Sequence, residues 1–479
     1  MTATCVIMII YQYFTIFLND IKKLRGEFTM FFRQFFDEKL AQHSYLVGCQ
    51  KTGEAIIVDP KRVLDDYEKV ARDAGLKITH ATETHIHADF ASGLRDASRK
   101  FDATLFVSDE GDADWKYQNM PKDTVFLKDR DIFHVGHIHF EVIATPGHTP
   151  ESISFVVRDN GVDEPMGIFT GDFLFVGDVG RPDLLEKAAH HEGTTEIGAK
   201  DLYDSLKKLD KYPDYLQIWT GHGAGSACGK SLGAVPLSTL GYERQFNWAL
   251  NTPSKAAFVE EITDAQPEPP NYFAKMKQVN KEGLPEFNLK DIPTDTPETL
   301  EGQIFDLRTS DAFADGFVTG SINIPYNKGF VMQAGWFLDY NQPLTIIGDV
   351  ERSEEYQKDF ASIGFDNIER IVSQDDISGL VNDSYEKVSP ETFVENYKDK
   401  NVLDVRGLGE YNAGNVGSSI HRHHGTVQDA SIPFDKDEDI YVHCKGGGRS
   451  AIAVSVLKAR GYKNAKNVLK GYDGFKDKI

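Results

Sequence analysis

The sequence has few cysteines, and this shortage sets the first limits on its class. Four occur in 479 residues, too few and too widely separated for a disulfide scaffold: Cys5, Cys49, Cys228 and Cys444. Isolated cysteines are typical of a reducing compartment, where thiols stay free or catalytic. We therefore expect a cytoplasmic protein.

Basic residues are also scarce relative to acidic ones. Lys and Arg number 52 against 74 Asp and Glu, which gives a formal net charge of −22 at pH 7. A chain this acidic repels a phosphate backbone instead of releasing its counterions. The charge therefore argues against nucleic acid as a partner.

The sequence also lacks a convincing membrane span. Its apolar stretch from Val6 to Leu18 is shorter than the ~20 residues that a membrane-spanning helix needs. No basic segment precedes this stretch and no small-residue cleavage site follows it, so a signal peptide is not indicated either. We expect no stable membrane insertion and interpret residues 1–29 as an N-terminal extension outside the functional protein, with a membrane tether as the alternative.

Apolar residues, in contrast, are plentiful enough for several cores, at 40% of the chain. Because single hydrophobic cores stop growing near ~250–300 residues, the length predicts two to four domains. Short β-rich runs alternating with turns predict one α/β domain over 30–265. A Pro-rich, charged stretch without periodicity then predicts a linker over 266–289.

The remainder of the chain repeats itself at a spacing of roughly 95 residues. The segment Ile304–Arg308 matches Val402–Arg406, and Leu344–Gly348 matches Ile440–Cys444. The repeat predicts two tandem copies of one small α/β domain, at 290–380 and 384–479.

Six potential metal ligands follow strand-like segments or lie in glycine-flanked turns. Two imidazoles and a carboxylate occur within five residues, and three more ligands follow in separate loops: His85, His87, Asp89, His148, Asp172 and His222. Neighbouring glycines let the backbone turn tightly enough to present such side chains to a common point. The pattern predicts a metal site.

In these residues the sequence resembles the metallo-β-lactamase superfamily, whose motifs HxHxD, TPGHT, GD and GHG occur here in the same order. The resemblance implies an αββα sandwich. Thioester hydrolases of the glyoxalase II type end the first motif with a further histidine for a second metal, but Phe90 stands at that place. Because a phenyl ring cannot bind a metal, a single metal is favoured. Phe90 and the segment Gly180–Asp183 resemble the persulfide dioxygenase branch.

That resemblance implies one Fe(II) per chain, held by His85, His148 and Asp172, with three coordination positions open. The other three residues of the set would orient ligands or accept protons, although they could instead bind metal: His87, Asp89 and His222. Arg181 would attract anionic substrates. Zn(II) is the alternative metal, and since zinc has no redox states it could only support hydrolysis.

A second reactive centre is predicted at Cys444, between the strand-like Ile440–His443 and the apolar helical run Ala451–Leu457. Backbone N–H groups and a helix dipole at such a place favour a thiolate, and Lys445 and Arg449 add positive charge. The substrate loop would be Gly446, Gly447 and Gly448. The segment resembles the active loop of a rhodanese domain.

The first repeat resembles the same domain without its chemistry. Gly348 stands where Cys444 stands, and no cysteine occurs between Cys228 and Cys444. Without a thiolate there is no persulfide intermediate, so 290–380 is predicted to be inactive. Cys228 is interpreted as a packing residue that shapes the metal pocket, and Cys49 as a partly buried cysteine, with a thiol near the metal site as the alternative.

Together these resemblances imply a persulfide dioxygenase fused to two rhodanese-like domains. The metal domain would oxidise a low-molecular-weight thiol persulfide with O₂ to sulfite and thiol. Cys444 would carry a sulfane sulfur, and thiosulfate would be formed or consumed there. We expect a homo-oligomer, dimer or tetramer, that acts in sulfide detoxification. The alternatives are a zinc-dependent thioester hydrolase with a rhodanese appendage and a non-catalytic sulfur carrier.

Overall fold

The computed structural model describes residues 30–159, 162–184, 186, 193–230, 232–264 and 266–479. The predicted extension 1–29, with Cys5, lies outside these residues. Among the helices in the described ranges, none combines the length and the apolar character needed to cross a membrane.

The first domain contains two six-stranded sheets. The first sheet follows chain order, and the second runs from its last strand back to its first. Strands of the first sheet are β1 (Met30–Asp37), β2 (Gln42–Cys49), β3 (Glu54–Val58), β4 (Lys77–Thr82), β5 (Thr104–Ser108) and β6 (Val125–Leu127). Strands of the second are β7 (Ile132–Val135), β8 (Ile138–Ala144), β9 (Ile153–Arg158), β10 (Gly167–Gly171), β11 (Gln217–Thr220) and β12 (Ser238–Thr239).

Helices cover the outer face of each sheet. They are α1 (Asp65–Asp73), α2 (Leu94–Phe101), α3 (Thr194–Lys207), α4 (Leu240–Phe246), α5 (Trp248–Asn251) and α6 (Lys255–Thr263). In β2, Val47 packs between the sheets while its neighbour Leu46 packs towards α1 and α2. In β9, Phe155 packs between the sheets while Val156 packs towards α3 and α6. Because side chains alternate across a strand, sheets buried on both faces need nearly continuous apolar strands, and the result is an αββα sandwich.

The segment predicted as a linker contains a helix. Its elements and those of the middle domain are α7 (Phe273–Glu282), β13 (Gln303–Asp306), α8 (Ser310–Asp315), β14 (Ile322–Asn323), α9 (Phe330–Phe337), β15 (Leu344–Gly348), α10 (Ser353–Ser362) and β16 (Ile368–Ser373). Phe273, Met276, Val279 and Asn280 are buried, at the spacing of one helix face. The Pro-rich residues at the start of the predicted linker are therefore followed by a helix that packs on the protein.

The C-terminal domain has a five-stranded parallel sheet. Its elements are β17 (Lys387–Val388), α11 (Pro390–Asn396), β18 (Asn401–Asp404), α12 (Leu408–Asn412), β19 (Ile420–His421), β20 (Asp439–His443), α13 (Gly448–Ala459), β21 (Asn464–Val468) and α14 (Gly471–Phe475). The order β19-β18-β20-β21 has the same connectivity as the middle sheet, β14-β13-β15-β16, and both are parallel throughout.

Equivalent ion pairs occur at matching positions of the two repeats. Arg308 forms a two-pronged contact with Asp306, with Nη2 to Oδ2 at 2.7 Å, and donates to a glycine carbonyl eight residues on. Arg406 contacts Asp404 in the same way, at 2.6 Å, and donates to the corresponding carbonyl. The two domains therefore share the same ion pair and hydrogen bond, which fix the loop that follows β13 in one and β18 in the other.

The middle domain packs firmly on the metal domain. The fully buried Arg62 binds both carboxylate oxygens of Asp366, at 2.8 and 2.6 Å. The backbone N–H of Ala91 donates to the carbonyl of Ser362 at 2.7 Å. Since Ala91 lies two residues after the HxHxD motif, the middle domain supports one wall of the predicted metal site.

Candidate metal centre and sulfur-transfer loop

All predicted metal ligands lie at or just beyond the carboxyl ends of strands. His85 and His87 follow β4, and His148 follows β8. Asp172 comes directly after β10 and His222 two residues after the end of β11, and these strands are parallel neighbours. The sandwich thereby brings four distant loops to one edge.

The structure brings His85, His148 and Asp172 together as a compact group of donors. One ligand atom from each lies within 4.8 Å of the others. Oδ2 of Asp172 is 3.5 Å from Nε2 of His148 and 3.9 Å from Nε2 of His85. All three side chains are buried.

The protonation and hydrogen bonding of this group fit a metal ion. Nδ1 of His148 donates to the carbonyl of Arg181 at 3.0 Å, so its Nε2 keeps a free lone pair. Nε2 of His85 and Oδ2 of Asp172 are buried and have no hydrogen-bond partner. Burial lowers the pKa of both histidines, which keeps them neutral as metal ligands must be. Unpaired buried polar atoms of this kind are costly unless something binds them.

His222 connects two carboxylates. Its Nδ1 lies 2.7 Å from Oδ1 of Asp172, and its Nε2 lies 2.6 Å from Oδ2 of Asp89. Burial alone would lower the pKa of His222, but Asp172 and Asp89 raise it well above its ordinary value. These contacts agree with a role for His222 and Asp89 in orienting Asp172, which stays a prediction.

Cys228 lies beside that pair. Its Sγ and the side chains of Asp89 and His222 also have ligand atoms within 4.8 Å of one another. Burial, followed by Asp89 and Asp172, raises the pKa of the Cys228 thiol well above its ordinary value. The thiol is therefore kept protonated. It lies beside the predicted metal ligands, whereas a residue that only packs the pocket would not need to be so close to them.

His87 is held by Asp59, a residue that no sequence motif indicated. Nε2 of His87 is 3.1 Å from Oδ1 of Asp59, which also accepts the backbone N–H of Thr84 at 2.7 Å. Burial opposes protonation of His87, but the hydrogen bond to Asp59 raises its pKa to about 9. The signal that could have revealed Asp59 is its place at the end of β3, on the same edge as the ligands.

Phe90 occupies a fully buried position against His87, with ring centroids 4.3 Å apart. Asn280 of α7 donates to the carbonyls of both His87 and Phe90, each at 2.7 Å. The interdomain helix therefore fixes the conformation of the HxHxD loop, which nothing in the motif itself indicated.

Arg181 does not offer its charge to a substrate. It is fully buried, and its Nε and Nη2 donate to the two carboxylate oxygens of Asp183, both at 2.7 Å. Further donations go to the carbonyls of Ala227 and Pro267. The prediction that Arg181 attracts anions is corrected, because its donors are all directed at the protein and its own carbonyl instead orients His148.

The Cys444 loop lies between β20 and α13, as expected. The backbone N–H of Gly447 donates to Sγ of Cys444 at 3.1 Å, and the hydroxyl of Ser450 lies 3.5 Å from the same sulfur. Gly471 approaches the loop so closely that a Cβ there would lie 2.3 Å from the carbonyl oxygen of Cys444. The sulfur is buried, with one backbone N–H bonded to it and one hydroxyl close by.

The three loop glycines are not equivalent. Gly447 has a φ of 101°, a conformation that favours glycine, whereas Gly446 and Gly448 have no positive φ and open space where a Cβ would lie. Of the three, only Gly447 is required to be glycine by its backbone conformation. Glycine at the other two positions leaves the mouth of the loop uncovered.

The two basic residues of the loop also differ. Lys445 is exposed. Arg449 is paired by both terminal nitrogens with the carboxylate of Glu410, at 2.6 and 2.9 Å. Glu410, which no motif indicated, therefore partly neutralises the charge that Arg449 brings to Cys444.

The corresponding loop of the middle domain is closed. The hydroxyl of Tyr356 accepts the backbone N–H of Asp349 at 3.2 Å and would lie 3.0 Å from a Cβ at Gly348. A short 3₁₀ turn over Val350–Arg352 replaces the glycine curl. Among the described residues, no sulfur lies at this place.

Comparisons with known proteins agree with this architecture. Residues 38–222 match the metallo-β-lactamase superfamily and residues 389–478 match the rhodanese-like domain. The chain is 30% identical over 222 residues to the mitochondrial persulfide dioxygenase ETHE1 of Bos taurus, covering 45% of this chain and 74% of the relative. The chain belongs to the metallo-β-lactamase superfamily.

Two further similarities extend this assignment. The human mitochondrial persulfide dioxygenase ETHE1 is 28% identical over 197 residues, with 40% of this chain and 67% of the relative covered. A crystal structure of a metallo-beta-lactamase from Staphylococcus aureus is 48% identical and covers 72% of this chain and 99% of its own, with a TM-score of 0.67. The predicted fusion of a metallo-β-lactamase domain with a C-terminal rhodanese-like domain is confirmed, while the rhodanese kinship of 290–380 stays a prediction.

Proposed function

We propose that this superfamily member oxidises a low-molecular-weight thiol persulfide with O₂ to sulfite and thiol and couples this reaction to sulfur transfer at Cys444. The observation that carries the proposal is the buried group of His85, His148 and Asp172, in which Nε2 of His85 and Oδ2 of Asp172 lack partners while Phe90 occupies the place of a further ligand. The similarity to relatives named persulfide dioxygenase supports it. We also propose that the protein is a cytoplasmic homo-oligomer and that it acts in sulfide detoxification.

In this proposal the three residues hold one Fe(II), with Zn(II) as the alternative metal. Fe(II) would supply the redox chemistry with O₂ that zinc lacks, and two imidazoles with one carboxylate suit it. The protein's own contribution is orientation, because the Arg181 carbonyl fixes the ring of His148 and His222 fixes the carboxylate of Asp172. His222 also holds a proton between Asp172 and Asp89.

The sulfur-transfer half follows from the Cys444 loop. The Cys444 thiolate attacks the outer sulfur of RSSH, a new S–S bond forms, and the bond to R–S breaks so that RS⁻ leaves with the electron pair. Sulfite then attacks the outer sulfur of Cys444–S–SH, which releases thiosulfate, regenerates the thiolate and gives the proton to solvent. No external oxidant is needed, and the N–H of Gly447 stabilises the thiolate in both steps.

We assign these reactions to separate parts of the chain. The oxidation belongs to 30–265, the sulfur transfer to 384–479, and 290–380 has no chemistry of its own. The segment 266–289 connects them through α7.

The decisive experiment measures O₂ uptake and sulfur products of the full chain loaded with Fe(II) and supplied with glutathione persulfide. We expect O₂ consumption that His85→Ala abolishes and Cys444→Ser retains, with sulfite accumulating instead of thiosulfate in the latter. His134→Ala, on the exposed side of the β7–β8 hairpin, is the matched control and should behave as the unaltered protein. If zinc supports thioester hydrolysis and no O₂ is consumed, the thioester hydrolase alternative is correct. If neither reaction occurs, the result favours the sulfur-carrier alternative.

A further inference from the structure

Three histidines lie in or just after β19, on the sheet edge that also carries the sulfur-transfer loop, although the motif for that loop contains none of them. His421 ends β19, whose neighbour β18 pairs with β20, the strand that leads into Cys444. His423 and His424 follow, and the short turn that begins at His424 packs against α13. Parallel strands present their carboxyl ends on one edge, so this segment lies on the same edge of the sheet as the Cys444 loop, with the end of β18 between them.

Two residues of the middle domain contact His423 and His424. Oε1 of Gln333, on α9, lies 2.9 Å from Nε2 of His424. The ring of Trp336, one turn further on, lies 5.0 Å from that of His423 and 5.8 Å from that of His424. A Cβ at Gly425 would lie 2.2 Å from the indole, so α9 rests directly on the turn.

The contact with Gln333 determines which nitrogen of His424 carries the proton. A carboxamide oxygen can only accept, so Nε2 of His424 must donate and Nδ1 keeps its lone pair. That Nδ1 is buried and has no hydrogen-bond partner, in a side chain that is 4% exposed. An unpaired buried acceptor of this kind is costly unless a ligand supplies a donor.

The charges around His424 keep it neutral. Burial lowers its pKa to about 2, and His423 from the same turn and Arg449 from α13 act in the same direction. Gln333 and Trp336, which face it from α9, carry no charge. Arg449, whose charge acts on His424, lies in the first turn of α13, directly after the Cys444 loop.

We propose that the middle domain completes the sulfur-transfer site: Gln333 is a positioning residue that holds His424 with Nδ1 unprotonated, ready to accept a hydrogen bond from the S–H of a persulfide exchanged with Cys444. This inference rests on the proposed sulfur transfer. It also names a specificity, because RSSH carries an S–H to donate and thiosulfate does not. The inactive repeat thereby acquires a role in selecting hydropersulfides over thiosulfate as sulfur donors.

The test compares two sulfur donors in the full chain. Under anaerobic conditions, transfer from glutathione persulfide to sulfite and from thiosulfate to cyanide is measured for the unaltered protein, Gln333→Leu and Gln333→Glu. The control is Gln342→Leu, which changes an exposed glutamine of the same domain. We expect Gln333→Leu to raise KM for the persulfide about three- to tenfold, the range of one hydrogen bond, and to leave KM for thiosulfate unchanged.

Gln333→Glu provides a readout that loss of packing would not give. A carboxylate facing Nε2 raises the pKa of His424, so persulfide transfer should decline as the pH falls towards 5, a dependence that Gln342→Leu should lack. Equal changes for both donors, or none, would overturn the inference. If the unaltered protein shows no Cys444-dependent transfer, it is the proposed function that fails.

Discussion

Oδ1 of Asp172 is bound to Nδ1 of His222 at 2.7 Å, while Oδ2 of the same carboxylate has no partner. The carboxylate is thus divided into one oxygen that holds its orientation and one that faces His85 and His148. We therefore predict that His222 tunes the site through Asp172 without being a ligand itself.

Replacing His222 tests this division. We expect His222→Asn to weaken iron binding about 10- to 100-fold, the usual effect of losing a group that orients a ligand, whereas His85→Ala should abolish binding. Iron affinity is measured by competition with a chelator, with His134→Asn as the control. Equal losses for His222→Asn and His85→Ala would instead make His222 a ligand.

The grouping of the predicted metal ligands could be anticipated from sequence because each of them stands in a short motif at a strand end. His85, His148 and Asp172 needed no knowledge of tertiary contacts. Arg181 was misjudged because its motif gives the residue but not its environment: Asp183, two positions later, binds the guanidinium through both of its carboxylate oxygens. Sequence spacing reveals a basic residue near a site, but only packing decides whether its charge reaches the solvent.

The residues that the sequence motifs did not indicate come from distant parts of the chain. Asn280 holds the HxHxD loop from nearly two hundred residues away, and Gln333 reaches His424 from the other repeat. Neither residue has a motif, since any amide in a suitable place would serve. Such contacts depend on how domains pack, and packing between domains leaves no periodic signal in the sequence.

Phe90 offers a second test, of metal number. Phe90→His should let the chain bind a second metal ion, because it would add an imidazole next in sequence to Asp89, which belongs to the donor group of Asp89, His222 and Cys228. The measurement is metal content per chain after loading with Zn(II) and removal of excess ion. Phe90→Leu, which removes the ring without adding a donor, should stay at one. Two ions in the unaltered protein would contradict the single-metal prediction.

Glu410 provides a test of charge at the sulfur-transfer loop. Glu410→Gln keeps a hydrogen-bonding partner for Arg449 but leaves its positive charge uncompensated, so KM for the dianion thiosulfate should fall severalfold. Because this pair is partly exposed, the effect should shrink as ionic strength rises. Thiosulfate–cyanide transfer at low and high salt measures it. A KM that rises with Glu410→Gln would show that Glu410 acts only by holding Arg449 in place.

His423 links pH to the stability of the C-terminal domain. Burial, together with the Arg449 charge, lowers its pKa from 6.5 to about 4. Between these values the unfolded chain binds a proton that the folded chain does not, so this contribution to stability is complete above pH 6.5 and is lost as the pH falls towards 4. At pH 5 the loss is about 2 kcal/mol. Hydrogen exchange of α13 should therefore show a smaller loss of protection from pH 7 to pH 5 in His423→Gln than in the unaltered protein or in His134→Gln. An identical pH dependence in all three would mean that His423 is not the group that titrates.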